Sequence, residues 1–291
     1  HRDLHYPLRR QRQMCIRDRM NIGSFVTNEK ETYGIFFDDC AQSVTDDFIR
    51  EYRSLREVIE RKSIPLMYEN ALGTPKLKYN KIKFLPPIVN PTKIMCIGMN
   101  YRKPYPVDGK SLSNPENIIL FGKNSEALLA HNETLEIPAG DASNSFDYEG
   151  EIAVVIGAQA RNVSVSNADN FIFGFSAFND GSVRDWQSHS IYAGKNFSGS
   201  GSWGPWITPL EDLSDLRDLE LTVILNGEVV QKATSNDMIF SIQEQISYIS
   251  SIMTLNPGDV IATGSPDGTG ASFSPKRFLK AGDDLEIQVS K

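Results

Sequence analysis

Two short apolar runs with acids at their ends narrow the fold more than anything else in the chain. Asp147-Tyr148-Glu149-Gly150-Glu151 leads directly into Ile152-Ala153-Val154-Val155-Ile156. A second run, Phe171 to Phe178, stops at Asn179-Asp180. Runs this short, rich in β-branched and aromatic residues, read as buried strands rather than helices. Three carboxylates, Glu149, Glu151 and Asp180, at the mouths of two buried strands call for a cation, because ionising them together in a half-buried site is costly. A polar segment follows, Gly181-Ser182-Val183-Arg184-Asp185-Trp186-Gln187, and after it Gly194-Lys195.

The rest of the chain is read as many strands and few helices. Ile22 to Val26 and Tyr33 to Phe37 form a hairpin around a polar turn at Asn28 to Glu31. Phe48, Tyr52, Leu55 and Ile59 recur at helical spacing, which predicts one amphipathic helix capped by Ser43 or Thr45. Pro86-Pro87 and Asn90-Pro91 close this small N-terminal unit, residues 20–91, and residues 92–291 form a second domain. Within it, Lys93 to Gly98 and Ile118 to Lys123 are strands, with a polar loop at 102–117 between them. Leu219–Leu225 and Glu228–Ala233, joined by Asn226-Gly227, make a second hairpin. Ser241 and Glu244 form a capping box for a helix that buries Ile242, Ile246, Ile249 and Met253. Strands over Val260–Thr263 and Asp284–Val289 complete a pattern without regular alternation of strand and helix, so the class is α+β, mainly β.

Charge and cysteine use exclude several functions. A net charge of −7 and a pI near 5.2 are wrong for nucleic-acid binding, which needs a basic face. Residues 1–19 hold six arginines against two aspartates, without the apolar segment of a secretory signal. They read as a non-native or disordered leader ahead of Met20. The scattered Cys15, Cys40 and Cys96 fit reduced thiols in a cytoplasmic protein, and the apolar runs are too short to span a membrane.

Glu149 and Glu151 stand two apart at a strand mouth, so their side chains share a face. With Asp180 as third ligand the donor set is all oxygen, with no His or Cys cluster, which favours Mg²⁺, Mn²⁺ or Ca²⁺ over Zn²⁺. Without further context, the acids suit a solvated strand end better than a cation site. Lys195 alone suits a protein surface, as do Arg184, Asp185 and Gln187.

The order and spacing of several motifs resemble the fumarylacetoacetate hydrolase family from about Ile82 to Val289. They are Cys96-Ile97-Gly98-Met99-Asn100-Tyr101, Asp147-Tyr148-Glu149-Gly150-Glu151, Asn179-Asp180, Arg184-Asp185-Trp186-Gln187, Gly194-Lys195, Gly204-Pro205-Trp206 and Pro257-Gly258-Asp259-Val260-Ile261. The resemblance implies metal ligation by Glu149, Glu151 and Asp180, and assigns Gln187 and Lys195 to polarising the substrate or positioning water. It places Ser265 at the substrate carboxylate, in Thr263-Gly264-Ser265-Pro266 where the family has Thr-Gly-Thr-Pro, and Tyr101 and Arg102 on the substrate as well. It also implies a rolled mixed β-sandwich, usually a homodimer, acting on a small 2-oxo or 1,3-dioxo acid. The reaction would be C–C hydrolysis, decarboxylation or keto–enol isomerisation through a metal-stabilised enolate.

Two departures qualify that reading. Many members carry a His four residues after the motif Asn and a Glu three further on, where this chain has Pro104 and Val107. Neither accepts a proton, which counts against hydrolysis, strengthens decarboxylation and isomerisation, and motivates a second reading as a non-catalytic protein that binds metal and 2-oxo acid. A purely structural Ca²⁺ site is a third. His131 and His189, the histidines outside the leader, read as a loop residue and a helix-surface residue. Members also continue for about another short strand after the position of Val289, which leaves a truncated C-terminus open.

Overall fold

A computed structural model describes residues 20–102, 113–210, 216 and 218–290. Strands β1 (Asn21–Thr27) and β2 (Lys30–Phe36) form the first hairpin, with Asn28 and Glu29 both at positive φ in its two-residue turn. β3 (Cys40–Ser43) joins β2, and short segments at Leu77–Lys78 and Lys83–Phe84 complete a five-stranded sheet. The single helix expected from Phe48 to Ile59 is two helices, α1 (Asp46–Glu51) and α2 (Leu55–Glu60). Thr45 caps α1, accepting from the Phe48 N–H, and Ser54 starts a new helix by accepting from the Glu57 N–H. The apolar spacing survives the break because Tyr52 leaves the helix in extended backbone and still packs face to face on Phe48. Helix α3 (Ile64–Leu72), with a proline in its first turn, follows.

The larger sheet is built around β6. Strands β4 (Ile94–Gly98), β5 (Ile119–Gly122), β6 (Gly150–Ile156), β7 (Ile172–Asn179), β8 (Gly201–Trp203) and β11 (Val260–Ala262) lie in the order β5-β4-β11-β6-β7-β8. β4 and β11 run parallel, and the other pairs along this path run antiparallel, so the sheet is mixed. A second hairpin, β9 (Glu220–Leu225) and β10 (Glu228–Thr234), joins β12 (Leu285–Ser290) in a small antiparallel sheet.

Every residue of β6 is buried, and its alternation divides two cores. Ala153 and Val155 pack into a cluster with Ile22, Tyr33, Leu55, Met67 and Ile88 from the N-terminal segment. Ile152, Val154 and Ile156 pack the other way, against Leu219 and Leu221 and against Ile242, Ile246 and Ile249 of α5 (Ile242–Ile252). The capping box of Ser241 and Glu244 starts α5 as the sequence predicts, while Met253 sits past its end as the C-cap. The fold is therefore α+β and mainly β, a rolled mixed sheet sandwiched by smaller elements. No helix among the described residues is long and apolar enough to cross a membrane.

Two of the sequence motifs are architectural. Asn100 donates to the carbonyls of Thr263 and Phe240 and accepts from the Phe240 N–H, tying the loop after β4 to the exit of β11. Asp259, fully buried, accepts from the N–H groups of Thr92, Lys93 and Asn256, which pins the start of β4 to the turn before β11.

Candidate active site

The antiparallel register of β6 and β7 sets Gly150 opposite Asn179, so the start of one strand lies beside the end of the other. Glu149 and Glu151 flank Gly150, and Asp180 follows Asn179 with its N–H donating to the Glu149 carbonyl at 2.8 Å. One carboxylate oxygen from each of Glu149, Glu151 and Asp180 lies within 4.8 Å of the others. Asp180 is fully buried, Glu151 is 1% exposed, and the Glu149 side chain is 12% exposed.

Three cations surround this cluster. The Lys195 ammonium donates to Asp180 Oδ2 at 2.6 Å and to Glu149 Oε2. Arg184 reaches Glu149 Oε1 at 2.5 Å through Nη1, and its Nε donates to Asp147 Oδ2 at 2.7 Å. Asp147 also accepts from the N–H groups of Gly270 and Ala271, so it serves as an anchor for Arg184 outside the triad. The Lys123 ammonium donates to Asp180 Oδ1 at 2.8 Å. Glu151, by contrast, makes no ion pair among the described residues and accepts one N–H, from Gly264 at 2.9 Å.

These surroundings separate the acids electrostatically. Burial works to raise the Glu149 carboxyl, but Arg184 and Lys195 overcome it and hold its pKa well below the usual carboxylate range. Burial and then the neighbouring Asp180 push Glu151 well above that range. Burial opposes the charge on Lys195, and Asp180 and Glu149 more than restore it, so its pKa lies above that of an ordinary lysine. With one N–H donor and no ion pair among the described residues, Glu151 leaves the triad with capacity for a further cation. Three convergent oxygens of hard, anionic donors fit a divalent ion such as Mg²⁺ or Mn²⁺.

The other sequence-predicted residues lie at graded distances from the triad. Gln187 donates to Ser182 Oγ at 3.4 Å, and Ser182 in turn reaches Glu149 Oε2 at 3.3 Å. Helix α4 (Ile191–Lys195) packs tightly on the Gln187 segment: a Cβ at Gly194 would lie 2.4 Å from Gln187 Cγ, so only glycine brings the two together. Ser265 follows the Gly264 that bonds Glu151, and its hydroxyl accepts from Gln231 Nε2 at 2.9 Å. Tyr101 is buried, its hydroxyl has no hydrogen-bond partner among the described residues, and burial and then Glu151 raise its pKa. Arg102 is exposed at the border of the described residues, and Pro104 and Val107 fall outside them. His189 packs edge-on against Trp186 and His131 edge-on against Phe84.

The sequence does not single out Lys123 or Gln231 as site residues. Lys123 directly follows β5, where a lysine normally turns to solvent. Gln231 sits in a hairpin strand, yet it is 2% exposed and its Oε1 accepts the Gly150 N–H at 3.0 Å, between the two glutamates.

Comparison with known proteins gives this geometry a lineage. Residues 93–291 match the model of the fumarylacetoacetate (FAA) hydrolase C-terminal domain. An uncharacterised protein of Archaeoglobus fulgidus is 40% identical over 215 residues, covering 72% of this chain and 79% of its own. An oxaloacetate tautomerase of Bacillus subtilis is 33% identical over 247 residues, covering 84% of this chain and 80% of its own. Among solved structures, the fumarylacetoacetate hydrolase of Exiguobacterium antarcticum superposes with a TM-score of 0.79 at 28% identity, covering 93% of this chain and 95% of its own. With the matched model spanning well over half of its length, the chain belongs to the fumarylacetoacetate hydrolase family.

Proposed function

We propose that the protein is a divalent-metal-dependent enzyme that interconverts the keto and enol forms of a small 2-oxo acid of the oxaloacetate type. The observation that carries this reading is the buried triad of Glu149, Glu151 and Asp180 with the Lys195 ammonium bonded to two of its members. A cation held by the triad would supply Lewis-acid stabilisation of negative charge on the 2-oxo oxygen. The chain's own residues account for the rest. Lys195, kept protonated by its acidic neighbours, is suited to donate to an enolate oxygen as charge develops there. Arg184 holds Glu149 in place and is itself held by Asp147. Gly264 orients Glu151 through its N–H, and the adjacent Ser265 offers a hydroxyl to a carboxylate.

Charge counting supports an anionic ligand. Asp147, Glu149, Glu151 and Asp180 face Lys123, Arg184 and Lys195, which leaves one net negative charge when all are ionised. A divalent ion makes the sum positive, so the loaded site attracts a carboxylate more strongly than the protein alone does. Tautomerisation moves one proton between C3 and the oxygen on C2 and consumes no water. It therefore makes smaller demands on the positions of Pro104 and Val107 than C–C hydrolysis does. The relationship to the Bacillus subtilis tautomerase favours the same choice over hydrolysis or decarboxylation.

The test follows decay of the enol absorbance of oxaloacetate with Mg²⁺ or Mn²⁺ for the wild type and for Glu149→Ala and Asp180→Ala. The metal-dependent acceleration should vanish in both variants, and undiminished turnover in both would refute the proposal. Pro104 and Val107 favour a second reading, a metal and 2-oxo-acid binding protein without turnover. Oxalate raising the melting temperature, with no consumption across oxaloacetate and acylpyruvates, would select it.

A further inference from the structure

Lys123 is a charged side chain with no solvent exposure, and all three of its ammonium protons are used. Nζ donates to Asp180 Oδ1 at 2.8 Å, to the Gly181 carbonyl at 3.1 Å and to the Lys195 carbonyl at 2.7 Å. The acceptors come from two places, the turn after β7 and the last residue of α4. The lysine stem reaches them past Gly201, where an added Cβ would lie 3.1 Å from Lys123 Cε and 2.5 Å from the Asn179 carbonyl. The same strand end meets α4 a second time through Asn196, which accepts from the Asn124 N–H and donates to the Gly122 carbonyl.

Burying an ammonium is costly unless every proton is matched by an acceptor. A residue needed only to fill this space would be apolar, and a methionine has nearly the same length. The three bonds instead connect two functional groups. One fixes Oδ1 of Asp180, which leaves Oδ2 turned toward Lys195 and the triad. Another holds the main chain of Lys195 itself, from which its side chain returns to Asp180. We propose that Lys123 is a positioning residue that sets the Asp180 carboxylate and the seat of Lys195 together, so that metal affinity and turnover depend on one buried ammonium. The inference rests on the metal-centre reading given above.

Positioning and electrostatics give opposite signs here, and that makes the idea testable. Removing a positive charge beside a metal ligand tightens a divalent cation by Coulomb's law alone. Loss of an orienting partner loosens it, typically about 10–100-fold. The experiment is Mn²⁺ titration of the full chain by calorimetry for wild type and Lys123→Met, with near-ultraviolet circular dichroism as the check on folding. The expected result is a Kd weakened about tenfold or more, with kcat for oxaloacetate falling more than KM rises. An unchanged or tighter Kd in a folded Lys123→Met protein overturns the inference. Failure of the wild type to bind Mn²⁺ instead defeats the metal-centre reading.

A second measurement covers the case in which Lys123→Met does not fold. In Lys195→Met protein carrying ¹⁵N-lysine, one slowly exchanging ammonium signal should remain, and it should persist when Mg²⁺ is added. Absence of that signal, or its loss on adding Mg²⁺, overturns the inference without recourse to the Lys123 variant.

Discussion

Glu151→Gln should stabilise the metal-stripped protein and abolish its response to metal, two effects of opposite sign from one isosteric change. The glutamine keeps an oxygen for the Gly264 N–H, which donates at 2.9 Å in the wild type. What it removes is a carboxyl whose ionisation is opposed by burial and by Asp180, and which has no ion-pair partner among the described residues. Within 4.8 Å of one another, two ionised carboxylates repel by at least about 3.5 kcal/mol at an effective dielectric constant near 20. Proton uptake by the wild type and the field of Lys195 relieve part of this, leaving an expected gain of about 1–3 kcal/mol for the variant. That corresponds to a melting temperature higher by about 2–5 °C in a chain of this size. In Mn²⁺ at a hundred times its Kd the wild type should gain about 2.7 kcal/mol, while the variant gains little. Differential scanning calorimetry in chelator and in Mn²⁺ should therefore show the order of the two proteins reversing or the gap closing. A variant less stable than wild type in chelator, or one that gains as much from Mn²⁺, would refute the idea that Glu151 is the uncompensated member of the triad.

Two further predictions concern the scaffold. Asp259→Ala leaves the N–H groups of Thr92, Lys93 and Asn256 without their acceptor and should cost about 3–5 kcal/mol by urea unfolding, against about 1–3 for Asp259→Asn, which keeps one oxygen; an alanine variant within about 0.5 kcal/mol of wild type contradicts the assignment. Tyr33 is buried, donates to the Tyr52 carbonyl at 2.5 Å and has its phenol pKa raised, chiefly by burial. Above about pH 10 the unfolded phenol loses its proton while the folded one keeps it, so stability falls as pH rises. Urea midpoints should drop between pH 9 and 11, and Tyr33→Phe should show a smaller drop from a lower starting point.

Local chemistry made much of this legible in advance. The turns at Asn28-Glu29 and Asn226-Gly227 and the capping box at Ser241 are decided within a few residues, and each stands where its signal lies. The helix between Phe48 and Ile59 failed as one element because apolar spacing does not record a break that two capping side chains, Thr45 and Ser54, make favourable. The parallel pairing of β4 with β11 joins Ile94 to Val260 and has no local signature. Among the candidate site residues, the triad and Lys195 were marked by the order and spacing of the motifs that contain them, since each type taken singly is ordinary. Lys123 and Gln231 belong to no such motif and were invisible. A lysine after a strand and a glutamine within a hairpin are ordinary, and only the packing of distant segments buries them.

The burial of β6 on both faces ties the candidate site to the cooperativity of the whole molecule. Its amides lie between the two cores, and each core draws on a different part of the chain. Their exchange with solvent deuterium should require global unfolding, since no local opening frees a strand clamped from both sides. The glutamates at its mouth thus sit on the last segment to let go. A destabilising change as remote as Met67 should reach them as a lower population of intact sites, with the affinity of each remaining site unaltered.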